Sequence, residues 1–471
     1  MSKPTIAILG AGLAGLGAAW QLTRRGLANA LVLEQNSAVG GNAGSFELSG
    51  LQVDYGSHRL HPICDPEILE DIRLLIGEDL LTRPRHGRIR LGGRWIHFPL
   101  KATDLITHLP LGFRLCIAGD IMRKALPTKS NAETPSFASI LEQGLGKTIC
   151  REFYLPYAQK IWGLPPEQLS PIQARRRVSA GSLRKMLRKV LAGGKGASGS
   201  KGRFFYPRRG FGQIASAMAA AARESGADIR LETDIRAIRP GLPHCIEFKQ
   251  NGRDTSVQAD YVWSTIPLNV LPRLIHPAAP EDVLEACGQV QFRQMILVYL
   301  VLGQRQFSEY DAHYFPGSDV PVTRISEPKN YSDVQEPGNS TVLCAELPCF
   351  EDDPEWTMTD TELGEIVCES LKRAAIPLRE PPGMVVTHRI SHAYPIYDEG
   401  YELHVDRIDH WLGQVENLLS FGRQGLFAHD NIHHTLHMAY SAVNCLSQEG
   451  WFDRNRWENY RQIFNNHVVE D

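Results

Sequence analysis

An α/β fold, Rossmann-like at its start, is what this sequence predicts, and three observations carry that prediction. Thr5–Leu9 (TIAIL) is a short apolar run rich in β-branched residues, the pattern of a strand buried in a parallel sheet. It passes directly into Gly10-Ala-Gly12-Leu-Ala-Gly15, after which Leu16–Arg25 reads as a helix that Gly26 stops. A second apolar run, Ala30–Leu33, ends on an acid, Glu34. Strand, glycine turn, helix, strand and acid in this order form a unit that holds a dinucleotide.

Each position in the unit has its own task. Gly10 permits the tight turn, Gly12 lets a pyrophosphate approach the backbone, and Gly15 lets the helix pack closely on the strand. The phosphates then sit on the helix N-terminus, where free N–H groups and the dipole favour anions. Glu34 stands where a carboxylate accepts the hydroxyls of an adenosine ribose. An acid there suits FAD or NAD better than NADP.

The 471 residues are about three times the ~150-residue domain prior, so a single small module is excluded. Apolar residues make up 43% and charged residues 22%, the balance of a globular protein. With 50 basic against 53 acidic side chains, no overall field selects nucleic acid. The 9 cysteines are odd in number and form no C-x-x-C pair, which favours a reducing compartment, and a cytoplasmic location is expected. No secretory leader is expected, because Met1-Ser-Lys-Pro enters the first strand without a small-residue cleavage site. No window approaches a membrane span. Leu109–Leu126 comes nearest, but Arg114, Asp120, Arg123 and Lys124 cut it, and it reads as a core helix under a substrate cavity. Peripheral membrane contact is the weaker reading of that stretch, and no oligomeric state follows from the sequence.

The segment after Glu34 narrows the cofactor. Val39-Gly40-Gly41-Asn42-Ala43-Gly44-Ser45 is followed by Gly56-Ser57-His58-Arg59-Leu60-His61. Here the chain resembles the flavoprotein superfamily of amine oxidases, protoporphyrinogen oxidases and UDP-galactopyranose mutases, whose Gly-Gly turn lies against the FAD phosphates. Many amine oxidases have arginine where this chain has Asn42, and Gly40–His61 looks most like the mutase branch. Further pieces follow in family order. They are Lys160–Ser170 (KIWGLPPEQLS), Phe205–Gly212 (FYPRRGFG), Leu231–Ile238 with Ala259–Pro267, and Phe421-Gly422-Arg423-Gln-Gly425 with Asp430-Asn431-Ile432.

The resemblance implies an amine-oxidase-type FAD domain made of residues 1–95, 203–270 and 385–450. It implies an inserted α+β substrate cap of residues 96–202 and 271–384, and 451–471 reads as a helical tail. FAD would contact Gly10, Gly12, Gly15, Glu34, Gly41, Asn42, His58, Ile235, Gly422, Arg423, Asn431 and Ile432. His58 would lie by the flavin N5, with His61 and Arg423 completing the catalytic set. Arg175, Tyr314, Arg324, Tyr394 and Tyr397 would meet a small-molecule substrate. A basic run from Arg175 to Arg203 fits an anionic one, phosphorylated, nucleotide-linked or carboxylated, although such runs are usually solvated faces. The implied reaction is hydride transfer to the flavin; the alternative is isomerisation of a nucleotide sugar without net redox change.

Within the cap, Arg88–His97 alternates around Gly92-Gly93 as a hairpin, and Gln294–Val301 and Thr341–Glu346 read as strands. The low-complexity run 192–203 reads as a surface loop. His433, His434 and His437 offer an H-x-x-x-H spacing that could place two imidazoles on one helix face, but no metalloprotease Glu and no third ligand accompany them, so no metal is expected. Gly144–Thr148 ends like a phosphate loop but has Leu141 in place of its first glycine, which rules it out.

Overall fold

The computed structural model describes residues 3–98, 109–125, 136–178 and 202–468. Its first run becomes strand β1 (Thr5–Leu9), followed by helix α1 (Leu13–Arg24) and strand β2 (Asn29–Leu33). β1 pairs in parallel with β2 on one side and with Tyr261–Ser264 on the other. Leu418–Ser420 and Asp228–Arg230 extend the two edges, giving a five-stranded sheet that is parallel throughout. Because successive strand residues point to opposite faces, Ile6 and Ile8 enter a core with α1 and the Gly212–Glu224 and Ile432–Asn444 helices. Ala7 and Leu9 enter a second core, under the three-stranded antiparallel sheet of residues 233–259.

A seven-stranded sheet makes the cap. Its order is Met384–Pro395, Phe292–Leu302, Thr341–Cys349, Arg324–Ser326, Ala312–Tyr314, Gly87–Leu91 and Arg94–Phe98. The hairpin expected around Gly92-Gly93 is present, with φ of 57° and 75° at the two glycines, which a two-residue turn of the primed type requires. The strands expected near 294–301 and 341–346 form too, each a little longer at its ends. The sheet takes in the Gly87–Leu91 and Arg94–Phe98 strands, and its strand at the other edge runs from Met384 to Pro395.

Along Phe292–Leu302 the alternation again divides two cores. Ile296, Val298 and Leu300 pack with the Asp360–Arg373 helix, while Met295, Leu297 and Tyr299 pack with the hairpin Ser45–Leu48 and Leu51–Asp54. The cap sheet therefore rests on the chain just after the second glycine turn.

One helix departs from expectation. Leu111–Ala125 is helical, but Leu111, Leu115 and Met122 are exposed at 64%, 64% and 67%, so it is not a core helix. The C-terminal stretch forms the helix Arg454–Phe464, which buries Trp457 and Phe464. Among the described residues no helix is long and apolar enough to cross a membrane. The run 192–201 lies outside the described residues.

Candidate active site

The glycine turn after β1 is built around close approach. A Cβ on Gly15 would stand 2.0 Å from the Gly10 carbonyl oxygen, so only glycine lets α1 start there. Gly10 takes φ +99° and donates its N–H to Leu33 O at 2.8 Å. Gly12 differs: nothing lies within 4 Å of where its Cβ would be. That space, at the first turn of α1, is where free N–H groups await an anion. Glu34 is buried, with Oε2 accepting from Ala11 N at 2.7 Å and Oε1 from Asn36 N at 2.9 Å and Asn36 Nδ2 at 2.7 Å. It thus ties the turn to the end of β2, and a carboxylate has lone pairs left for ribose hydroxyls. Ile235 lies alongside, since Thr233 of its strand donates to Glu34 O through both its N–H and its hydroxyl.

Three segments distant in sequence meet at His392. Its carbonyl accepts from Asn42 Nδ2 at 3.1 Å and from Gln424 Nε2 at 2.6 Å, and the next carbonyl, of Ala393, accepts from Arg423 Nη2 at 2.7 Å. The second glycine turn lies against the first, for Gly40 donates to Ala11 O at 2.8 Å and a Cβ on Gly41 would be 3.4 Å from Gly12 Cα. Gly422 closes the ring, leaving 2.8 Å between a hypothetical Cβ and Ala14 Cβ on α1. Asn431 and Ile432 open the Ile432–Asn444 helix, which packs on α1 so closely that a Cβ on Gly17 would be 3.0 Å from Leu436.

His58 is pinned. Its Nε2 lies 2.8 Å from Asn42 O and 2.9 Å from Tyr55 O, and both partners are acceptors, so Nε2 carries the proton. Burial pushes the imidazole below its ordinary value, against the opposing pull of Asp54, and Nδ1 is left as an acceptor. Asp54 is itself buried, pushed up by desolvation, and holds Ser45 Oγ at 2.6 Å, Phe211 N at 2.7 Å and Tyr206 OH at 2.7 Å. The His61 ring centroid lies 6.5 Å from that of His433.

Arginines and tyrosines line the cap side. Arg324 makes a bidentate pair with Glu346, at 2.7 and 2.9 Å from Nη2, and Glu346 also accepts from Ser57 N at 3.0 Å. Arg59 donates to Asp311 Oδ1, Tyr314 OH and Tyr331 OH at 3.0 to 3.1 Å. Tyr157, Tyr314 and Tyr394 gather around Arg324, and burial pushes the Tyr157 hydroxyl well up. Arg423 lies 5.4 Å from the Tyr394 ring. Arg293, opposite Tyr394 on the neighbouring strand, turns to Phe350 at 3.8 Å and pairs with Asp353 at 3.8 Å. Arg423 Nε and Gln424 Oε1 are buried without a hydrogen-bond partner.

The match to known proteins agrees with this geometry. Residues 13–403 fit the family model of flavin-containing amine oxidoreductases. The chain belongs to that family. Its cofactor is FAD. The residues present fit the group: an open Gly12 beside a buried acid, a second glycine turn packed on the first, and unpaired polar atoms at Arg423 and Gln424. In fold the oxidoreductase is similar to reduced UDP-galactopyranose mutase, with 22% identity, 94% of each chain covered and a TM-score of 0.80. It is also similar to putrescine oxidase with putrescine bound, at 18% identity over 98% of this chain and 99% of that one, with a TM-score of 0.63. Protoporphyrinogen oxidase 2, chloroplastic/mitochondrial, of Arabidopsis thaliana is 25% identical over 178 residues, which are 36% of this chain and 35% of that protein. The chain thus spans about a third of the curated relative it matches.

Of the residues expected to meet substrate, the flavoenzyme brings Tyr314, Arg324 and Tyr394 together. Tyr397 stands apart: it is buried, its hydroxyl donates to Phe427 O at 2.9 Å and accepts from His429 N at 2.8 Å, and both bonds hold the chain after the Phe421–Gly425 turn. Its hydroxyl is spent on backbone, which removes the reason to assign it to substrate. Arg175 lies on the Pro171–Val178 helix, and its side chain is outside the described residues. Asp54, Arg59, Arg293, Asp311, Tyr331 and Glu346 escaped sequence reasoning. Of these only Asp54 and Arg59 adjoin a recognisable motif; the rest reach the site through cap-sheet pairing that no local spacing announces.

Proposed function

We propose that this FAD-dependent oxidoreductase oxidises a small anionic organic molecule held against Tyr394 and Arg423. Arg423 carries the reading, because among the described residues no carboxylate pairs with it, while Arg324, Arg59 and Arg293 are already matched by Glu346, Asp311 and Asp353. FAD, when bound, supplies the hydride acceptor. The chain's own residues do the rest. Glu34 and the two glycine turns hold the dinucleotide, Tyr157, Tyr314 and Tyr394 enclose the substrate and exclude water, and His58 offers Nδ1 as a neutral proton acceptor. A cytoplasmic setting belongs to the same reading, supported by 9 free thiols.

The mutase-like segment Gly40–His61 favours a second reading, isomerisation of a nucleotide sugar by reduced flavoenzyme. One experiment separates them. The purified protein is challenged anaerobically with carboxylates, phosphorylated and nucleotide sugars, amines and porphyrinogens while the visible spectrum is recorded. A compound that bleaches the oxidised band supports oxidation and names the substrate class. Turnover of a nucleotide sugar by dithionite-reduced protein, with no reductant consumed, replaces the first reading with the second.

A further inference from the structure

Five histidines that the sequence scatters come together at the start of the Ile432–Asn444 helix. His61 arrives on the loop after the His58 turn, His433, His434 and His437 lie on the helix, and His467 follows the C-terminal Arg454–Phe464 helix. At the centre is Asp430, whose side chain is 2% exposed. Its Oδ2 lies 2.7 Å from His467 Nδ1 and its Oδ1 lies 3.9 Å from His434 Nδ1. The His434 and His467 rings stack with centroids 4.1 Å apart and planes 13° apart. One ligand atom from each of the three residues lies within 4.8 Å of the other two, and among the described residues this is the one such group.

We propose that Asp430, His434 and His467 bind a divalent cation of the zinc class through one carboxylate oxygen and two imidazole nitrogens, with water completing a tetrahedron. An ion at ~2.1 Å from each ligand sets neighbouring ligand atoms ~3.4 Å apart. His467 Nδ1 is 2.7 Å from Oδ2, His434 Nδ1 is 3.9 Å from Oδ1, and the three ligand atoms lie within 4.8 Å of one another, so closing to that spacing takes shifts of at most ~1.4 Å between any two. Two bonds are exchanged for the ion, the one between His467 Nδ1 and Asp430 Oδ2 at 2.7 Å and a weaker one from Asn431 N to His434 Nδ1 at 3.3 Å. A nitrogen and oxygen set suits zinc, and the carboxylate offsets the positive end of the helix that a cation would otherwise meet. The two histidines whose spacing suggests ligands are not the ones gathered: His437 packs on Phe464 at 5.6 Å and His433 faces His61. Bound there, the ion clasps the end of the chain to the turn that carries Asn431 and Ile432.

The test uses full-length, untagged holoprotein, dialysed against a chelator and titrated with Zn²⁺ alone. Bound metal is measured by plasma mass spectrometry, and affinity by competition with a chromophoric chelator. About one zinc per chain is expected. His467→Gln and Asp430→Asn should each weaken binding by roughly a hundredfold or more, while His437→Gln leaves it intact. The flavin-to-protein ratio of each variant reports whether it has folded. Should Asp430→Asn fail to fold, His467→Gln decides alone, since His467 lies beyond the last helix. Zinc well below one per chain in the wild type, or equal affinity in wild type and His467→Gln, overturns the proposal.

Discussion

Adding one methyl group at each of two neighbouring glycines separates the roles of holding the fold and holding the cofactor. At Gly12 the backbone has φ −71° and ψ 176°, open to any residue, and no atom lies within 4 Å of the new Cβ. Gly12→Ala should therefore leave the apoprotein's stability unchanged or raise it by about 0.4–1 kcal/mol through the unfolded chain. The methyl stands where the pyrophosphate must approach, so flavin content should fall sharply. At Gly15 the same methyl meets Gly10 O at 2.0 Å, against an ordinary carbon-to-oxygen contact of ~3.3 Å. A backbone carbonyl cannot swing aside, so α1 or the turn must shift by about an ångström. That puts Gly15→Ala at the upper end of the ~1–3 kcal/mol range for overpacking, with Tm falling by several degrees. The assays are the ratio of flavin to protein absorbance after purification and thermal unfolding of the flavin-free forms. A Gly12→Ala protein with full flavin, or a Gly15→Ala protein with wild-type Tm, would refute the assignment of the two positions.

Four further outcomes are expected. His313 is buried and held to about 3 by desolvation and by Arg88, against 6.5 when unfolded. The unfolded chain therefore binds the extra proton, and stability is complete above pH 6.5 and lost as pH falls toward 3. That amounts to about 2 kcal/mol at pH 5, a loss that denaturant titrations at pH 7 and 5 should find missing in His313→Gln. Arg324→Met leaves Glu346 buried and unpaired, which should cost about 3–5 kcal/mol by denaturant midpoint, and Glu346→Leu added to it should recover most of the loss. Asp54→Asn sets an amide N–H against donors that the carboxylate now accepts, so a loss of about 1–3 kcal/mol and a lower flavin content are expected on thermal and spectral assay. Under the proposed function, Arg423→Gln should raise KM for the anionic substrate at least about tenfold, with a flatter salt dependence, and an unchanged KM would detach it from substrate.

What the sequence makes legible is what the chain builds locally. β1, the glycine turn, α1, β2 and Glu34 are contiguous, so their spacing is itself the geometry of the site. The Gly92-Gly93 hairpin is readable for the same reason, since both positive φ values fall on glycines. The cap face is another matter. Glu346 reaches Arg324 and Ser57 only because Thr341–Cys349 pairs with Arg324–Ser326 and the sheet packs over the Gly56–Arg59 loop. Nothing at position 346 announces this. Tyr397 misled because a tyrosine beside a motif looks the same whether its hydroxyl faces a ligand or a backbone carbonyl. In Leu111–Ala125 the apolar residues identify a helix but not whether anything covers them. The run His433–His437 shows His434 in the sequence but not its neighbours Asp430 and His467, because His467 is brought in by the final helix.

The order of strands has a consequence for biosynthesis. The central sheet is incomplete until Leu418–Ser420 pairs with Tyr261–Ser264, and the cap sheet until Met384–Pro395 pairs with Phe292–Leu302. Its opposite edge, Arg94–Phe98, emerges from the ribosome some three hundred residues earlier. At ~5–20 residues per second, a nascent chain carries open strand edges for about 15–60 s before the cap sheet can close and about 20–80 s before the central one can. The two sheets are interleaved along the chain, so strands of each wait unpaired while strands of the other are being made. Production of this protein should thus respond to translation speed and to holding chaperones more than to any change that strengthens the finished fold.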